Sequence, residues 1–123
     1  MNATTQRRAL VLFAHGARAA AWAAPFERLR DMTQARLPDC EVTLAFLELM
    51  EPRLPAVVAG LVERGVFEVT VVPVFLGQGG HLLRDLPRLL DELRAAHPAV
   101  AMSTVPAAMP DRVAAASRAG TKR

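Results

Sequence analysis

The sequence predicts an α/β fold: a small four-stranded parallel sheet with helices on both faces. Three observations carry this. The apolar pattern alternates between short continuous runs and helical spacing. The segments follow one another as strand, helix, strand, helix, strand, helix, strand, which implies right-handed crossovers. A length of 123 residues with 52% apolar content suits one core.

Each element has a local reason. Ala9 to Ala14 is a continuous apolar run ending at His15-Gly16, as expected of a strand buried on both faces. From Ala20 to Leu37 the spacing turns helical through Trp22, Phe26, Leu29, Met32 and Leu37, and Pro38-Asp39 stops it. Glu41 to Leu47 reads as the second strand. Pro52 to Arg64 reads as a helix with Leu54, Val57, Val58 and Leu61 on one face, Pro52 near its start and Gly65 at its end. Phe67 to Val74 is rich in β-branched residues and forms the third strand, although Pro73 cannot donate to a ladder. After the glycine-rich loop Gly77 to Gly80, Leu82 to Ala96 carries a leucine stripe, with Pro87 placed within its first turns. Ala99 to Val105 is the fourth strand. Asp111 to Ala119 is expected as a short final helix, and Gly120 to Arg123 as a frayed tail. One domain over residues 1–123 is expected, with the flavodoxin-like strand order 2-1-3-4.

Composition narrows the function. The net charge is +3, but the arginines are scattered among acids, with no basic run and only Trp22 and five phenylalanines as aromatics. That is a poor nucleic-acid signature and a fair match to an acidic small molecule. No apolar run approaches the roughly 20 residues of a membrane span. The polar stretch Met1 to Arg8 has no secretory pattern, so a cytoplasmic protein is expected. The single cysteine, Cys40, excludes an intramolecular disulfide and a cysteine-based zinc site.

In open α/β sheets ligands bind beyond the carboxyl ends of the strands, near the switch in strand order. For order 2-1-3-4 that point lies between strands one and three. His15 ends strand one, His81 ends the loop after strand three, and Glu48 follows strand two. Each histidine alone is more often a hydrogen-bonded surface residue; two of them flanking one crevice suggest a metal site. His81 opens a helix, where the dipole disfavours imidazolium and favours the neutral ligand form. Neutral imidazoles suit cobalt, iron, nickel and zinc, and a two-histidine site with open positions suits delivery. Gly77-Gln-Gly-Gly80 matches neither a phosphate loop nor a dinucleotide fingerprint, and reads as a loop that lets a large flat ligand approach.

Three segments carry a family resemblance: Leu12-Phe-Ala-His-Gly-Ala-Arg18, Phe46-Leu-Glu-Leu-Met-Glu-Pro52, and Val72-Pro-Val-Phe-Leu-Gly-Gln-Gly-Gly-His-Leu-Leu-Arg-Asp-Leu-Pro87. The sequence resembles the CbiX/SirB sirohydrochlorin chelatases, the class II chelatases, from about Ala9 to Pro106. The resemblance implies insertion of Co²⁺ or Fe²⁺, with Ni²⁺ a further option, into sirohydrochlorin on the routes to cobalamin or sirohaem. It places His15 and His81 at the family's metal-binding positions and Glu48 at its acidic position. It also implies a homodimer in which two lobes face a shared cleft, and no tightly bound cofactor. One departure is Ala17, where the family commonly has serine.

Arg18, Arg53, Arg84 and Arg88 lie near the expected edge and suit the substrate's carboxylates as planar forks. Glu51 competes with Glu48 but falls outside the matched acidic position. Three rival classes are a non-catalytic cobalt or nickel carrier or sensor, a phosphohistidine enzyme, and a nucleotide binder. The second wants arginine where Ala14 stands; the third lacks a phosphate motif after strand one.

Overall fold

The computed structural model describes residues 8–19, 21, 23–74 and 80–105, with residues 80–83 placed as helical backbone. Four strands and three helices alternate: β1 (Arg8–Ala14), α1 (Ala23–Arg36), β2 (Glu41–Phe46), α2 (Leu54–Glu63), β3 (Glu68–Pro73), α3 (Gly80–Ala96) and β4 (Ala101–Thr104). All strand pairs are parallel, in the order β2-β1-β3-β4. Central β1 is buried from Ala9 to Ala14, which is why its sequence shows no polar alternation.

The sheet separates two apolar cores. On one face Val11, Phe13, Val69 and Val71 meet Leu54, Val58 and Leu61 of α2 and Leu86, Leu90 and Leu93 of α3. On the other, Leu10, Leu12, Val42 and Val72 meet Phe26 and Leu29 of α1. Phe26 also packs edge-on against Phe46 at the end of β2, with ring centroids 6.0 Å apart.

Several boundaries differ from the sequence expectation, each for a local reason. The α1 helix begins at Ala23; Ala20 and Trp22 lie outside the described residues. Met32 was expected in its apolar stripe but is exposed, and Thr33 is buried instead. At about 100° per residue, Thr33 falls in line with Phe26 and Leu29 while Met32 rotates off that face. Thr33 satisfies its hydroxyl by donating to the Leu29 carbonyl (2.8 Å).

The α2 helix starts at Leu54, so Pro55 rather than Pro52 occupies its first turn. Its other end is a Schellman turn. Gly65 adopts φ +90°, its N–H bonds the Val62 carbonyl, and the Val66 N–H bonds the Leu61 carbonyl. The α3 helix begins at Gly80, two residues earlier than expected, so Pro87 lies beyond its first turns and the Leu83 carbonyl loses its helical donor.

Proline is tolerated at the end of β3. Pro73 pairs with Phe13 of β1 and lies beyond Val71, the last β3 residue paired with β4. Its nitrogen faces the side where the β4 ladder has already ended. The glycine loop up to Gly79 and the expected helix Asp111 to Ala119 lie outside the described residues.

Candidate metal centre

The site is assembled by continuing β1–β2 pairing past the strand ends. The last register pair is Ala14 with Phe46. Beyond it the Leu47 N–H donates to the Ala14 carbonyl (2.9 Å) and the Glu48 N–H to the His15 carbonyl (3.1 Å). Gly16 makes this approach possible. It adopts φ +99°, and a Cβ there would collide with the Glu48 carbonyl oxygen.

Residues 47–52 form a closed loop at the carboxyl edge. Its base is shut by the Phe46 N–H donating to the Pro52 carbonyl (2.9 Å) and by a parallel bridge between Phe46 and Arg53. Leu47 packs against the core shared with α2 and α3, and Met50 against the core under α1. The loop thus straddles the sheet and lifts Glu48 and Leu49 above its edge. Leu49 makes the turn with φ +73°.

In this setting His15 Nε2 stands 3.2 Å from Glu48 Oε2. The His15 Nδ1 atom stands 3.1 Å from the Gly16 carbonyl oxygen. Two ring nitrogens facing two oxygens are matched either by two N–H donors or by one donor and a bound cation. The imidazole is mostly buried and the carboxylate about half exposed, at 23% and 53% of their full accessibility. The ring is therefore fixed by protein on one side, and the carboxylate remains reachable from solvent.

Glu51 does not compete for this position: it is exposed and turns to Arg53, 3.9 Å away. His81 lies in the first turn of α3, after β3, at the same edge of the sheet; its side chain lies outside the described residues. Among the described residues no three histidine, cysteine or acidic side chains cluster tightly enough to hold a metal ion. The described part of the candidate site is the His15–Glu48 pair. Ala17 offers no hydroxyl, and the ring is oriented through the Gly16 carbonyl instead.

The arginines follow the same edge. Arg18 comes after β1, Arg53 after β2 and Arg84 after β3, all three exposed. Arg18 and Arg84 form no ion pair among the described residues, and Arg53 only the long contact to Glu51. Arg88 differs: it pairs with Asp85 (3.9 Å) and Glu92 (3.2 Å) along its own helix, which weakens its case as a ligand for anions. Cys40 precedes β2 at the opposite edge and is buried.

The family model for CbiX matches residues 9–116. The chain belongs to the CbiX family. Among relatives of this CbiX chain, a sirohydrochlorin cobaltochelatase of Methanocaldococcus jannaschii is 36% identical over 89 residues, covering 72% of this chain and 62% of its own length. One of Methanopyrus kandleri is 37% identical over 83 residues, covering 67% and 57%. The chain thus spans about three-fifths of the curated relatives it matches.

Among solved structures, the CbiX protein of Marinobacter aquaeolei VT8, to which a part in cobalamin biosynthesis is ascribed, superposes with a TM-score of 0.69 at 32% identity over 94% of each chain. The sirohydrochlorin chelatase SirB of Bacillus subtilis subspecies spizizenii, in complex with cobalt, shares the fold at a TM-score of 0.69 and 23% identity, covering 79% of this chain and 42% of that one.

Proposed function

We propose that this CbiX-family chain is a sirohydrochlorin chelatase that inserts Co²⁺ or Fe²⁺ into the macrocycle, in the cytoplasm and as a homodimer. The observation that carries the reading is the His15–Glu48 pair, one imidazole nitrogen facing a solvent-reachable carboxylate 3.2 Å away. The relatives named above supply the substrate class.

Metalation must remove two pyrrole N–H protons while the metal sheds its previous ligands. In our reading His15 and His81 hold the incoming M²⁺, and Glu48 offsets its charge and, as general base, accepts the two pyrrole protons in turn and passes each to water. The carboxylate is exposed enough to return each proton to water. The ring's other nitrogen is held by the Gly16 carbonyl, which keeps Nε2 directed at the centre. Arg18, Arg53 and Arg84, one after each of three strands, would pair with the rim carboxylates of the macrocycle.

The test is sirohydrochlorin metalation followed by absorbance, with Co²⁺ and Fe²⁺ in turn, for the wild type, His15→Ala and His81→Ala. The proposal expects acceleration over the spontaneous reaction by the wild type and its loss in both variants. Variants that retain the wild-type rate would overturn the two-histidine mechanism. A wild type that binds metal without accelerating insertion would instead be a carrier.

A further inference from the structure

Three large apolar side chains are exposed among the described residues: Met32, Leu49 and Phe67. Met32 lies on the outer side of α1, and Phe67 precedes β3 at the amino edge of the sheet. Leu49 alone stands at the carboxyl edge, directly after Glu48, and it is 45% exposed. It also holds φ +73°, a left-handed conformation that glycine and asparagine adopt at lower cost than leucine.

Leucine is unfavourable here on two counts, its backbone and its exposure, and its neighbours show that the position is imposed. Leu47 and Met50 are anchored in opposite cores, the Glu48 N–H is tied to His15, and the Phe46–Pro52 bond closes the base. The loop therefore presents Leu49 from a fixed support. A residue that costs stability and gains little contact within the chain points to a contact outside it.

We propose that Leu49 is a platform for the apolar face of the macrocycle, a specificity residue beside the metal centre. This rests on the tetrapyrrole reading above. A planar conjugated ring with a carboxylate rim needs two kinds of recognition. Cations grip the rim, and a hydrocarbon surface covers the face that must be withdrawn from water. The arginines supply the first. Leu49, one residue from the carboxylate proposed to take the pyrrole protons, supplies the second and fixes how near the ring centre can approach Glu48.

Titration of metal-free sirohydrochlorin into the wild type, Leu49→Asn, Leu49→Gly and Leu49→Met, followed by absorbance with parallel thermal melts, tests this. Asparagine and glycine keep the turn and remove the hydrocarbon, so we expect binding about tenfold weaker, the loss of one leucine contact. Their melting temperatures should stay level or rise, because the backbone is relieved. Leu49→Met should bind like the wild type. Wild-type affinity in both the asparagine and glycine variants overturns the platform. So does a variant whose dimer dissociates while affinity per site is unchanged, since the leucine would then serve the partner copy. Omitting metal keeps the two readings apart. A wild type that binds the macrocycle without metalating it overturns the chelatase reading and not the platform, while a wild type that binds no macrocycle overturns the platform itself.

Discussion

The Nε2 atom of His15 and the Oε2 atom of Glu48 lie 3.2 Å apart on residues one and two places beyond the last register pair of adjacent strands. Neither side chain sits on a long mobile arm. Both are held by backbone hydrogen bonds immediately beside them. Replacing Glu48 with glutamine preserves size and hydrogen bonding but removes the charge and the basicity. Sirohydrochlorin metalation by Glu48→Gln is expected to fall by about 10²-fold, within the range of a lost general base. Circular dichroism should show the fold unchanged.

Gly16 permits the close approach that creates the pair. Gly16→Ala places a Cβ against the Glu48 carbonyl and imposes φ +99° on a residue that resists it. Urea denaturation should show a loss of about 1–3 kcal/mol. Metalation should drop with it, because the Glu48 loop must move. A variant of full stability and full activity would contradict this account of the loop.

Arg18 and Arg84 are exposed and form no ion pair among the described residues, so removing them leaves no buried acid unpartnered. Arg84→Ala and Arg18→Ala are each expected to raise KM for the macrocycle a few-fold while kcat stays level. That is the scale of a solvent-exposed charge pair. The rise in KM on adding salt should be shallower in either variant than in the wild type. Arg88→Ala, whose guanidinium is engaged by Asp85 and Glu92, is the internal control and should leave KM unchanged.

Far from the site, Gln34 ties the end of α1 to the start of β2. Its Nε2 donates to the carbonyls of Leu37 (3.0 Å) and Cys40 (2.7 Å), and its Oε1 accepts from the Val42 N–H (3.0 Å). Gln34→Ala strands these partly buried groups and should cost about 1–3 kcal/mol in urea denaturation. Metalation measured well below the unfolding transition should not change.

Burial raises the Cys40 thiol above its ordinary 9.0, with the nearby carboxylates of Glu68 and Glu41 adding to the rise and Arg8 opposing it. The thiol is thus kept neutral in the folded chain. Its stabilising contribution is complete below the unfolded value of 9.0 and is lost as pH rises through the higher folded value. A wild type compared with Cys40→Ala should therefore show its relative stability declining only above about pH 9. At pH 8, alkylation by iodoacetamide should be at least about tenfold slower in the native than in the denatured chain.

The sequence was most legible where chemistry and periodicity coincide. The uninterrupted apolar run of β1 announced a central strand. The strand–helix alternation then led to the order 2-1-3-4 found in the sheet. His15 and Glu48 were brought to one edge by topology alone. Pattern reasoning failed at Met32, because a one-dimensional count of apolar residues ignored the polar Thr33, which buries itself by bonding its own helix. It failed at Pro52 because two prolines three residues apart compete for one helix start. Leu49 was missed as a site residue. Its signal is a left-handed backbone angle, and leucine gives no hint of that in the sequence.

The bonds from Leu47 to Ala14 and from Glu48 to His15 have a consequence for how this architecture tolerates change. They make interstrand spacing the ruler for the His15–Glu48 pair, with α1 contributing through Phe26 packed on Phe46 and Met50 seated in the core beneath it. The connection joining the two strands can lengthen or shorten without altering where the imidazole and carboxylate meet, provided Phe26 and Leu29 keep their places under the loop. A slip of one residue in the β1–β2 pairing would separate them at once. The His15–Glu48 pair travels with its two strand ends, and a graft of those ends onto another parallel sheet with the apolar support for Leu47 and Met50 should carry the pair intact.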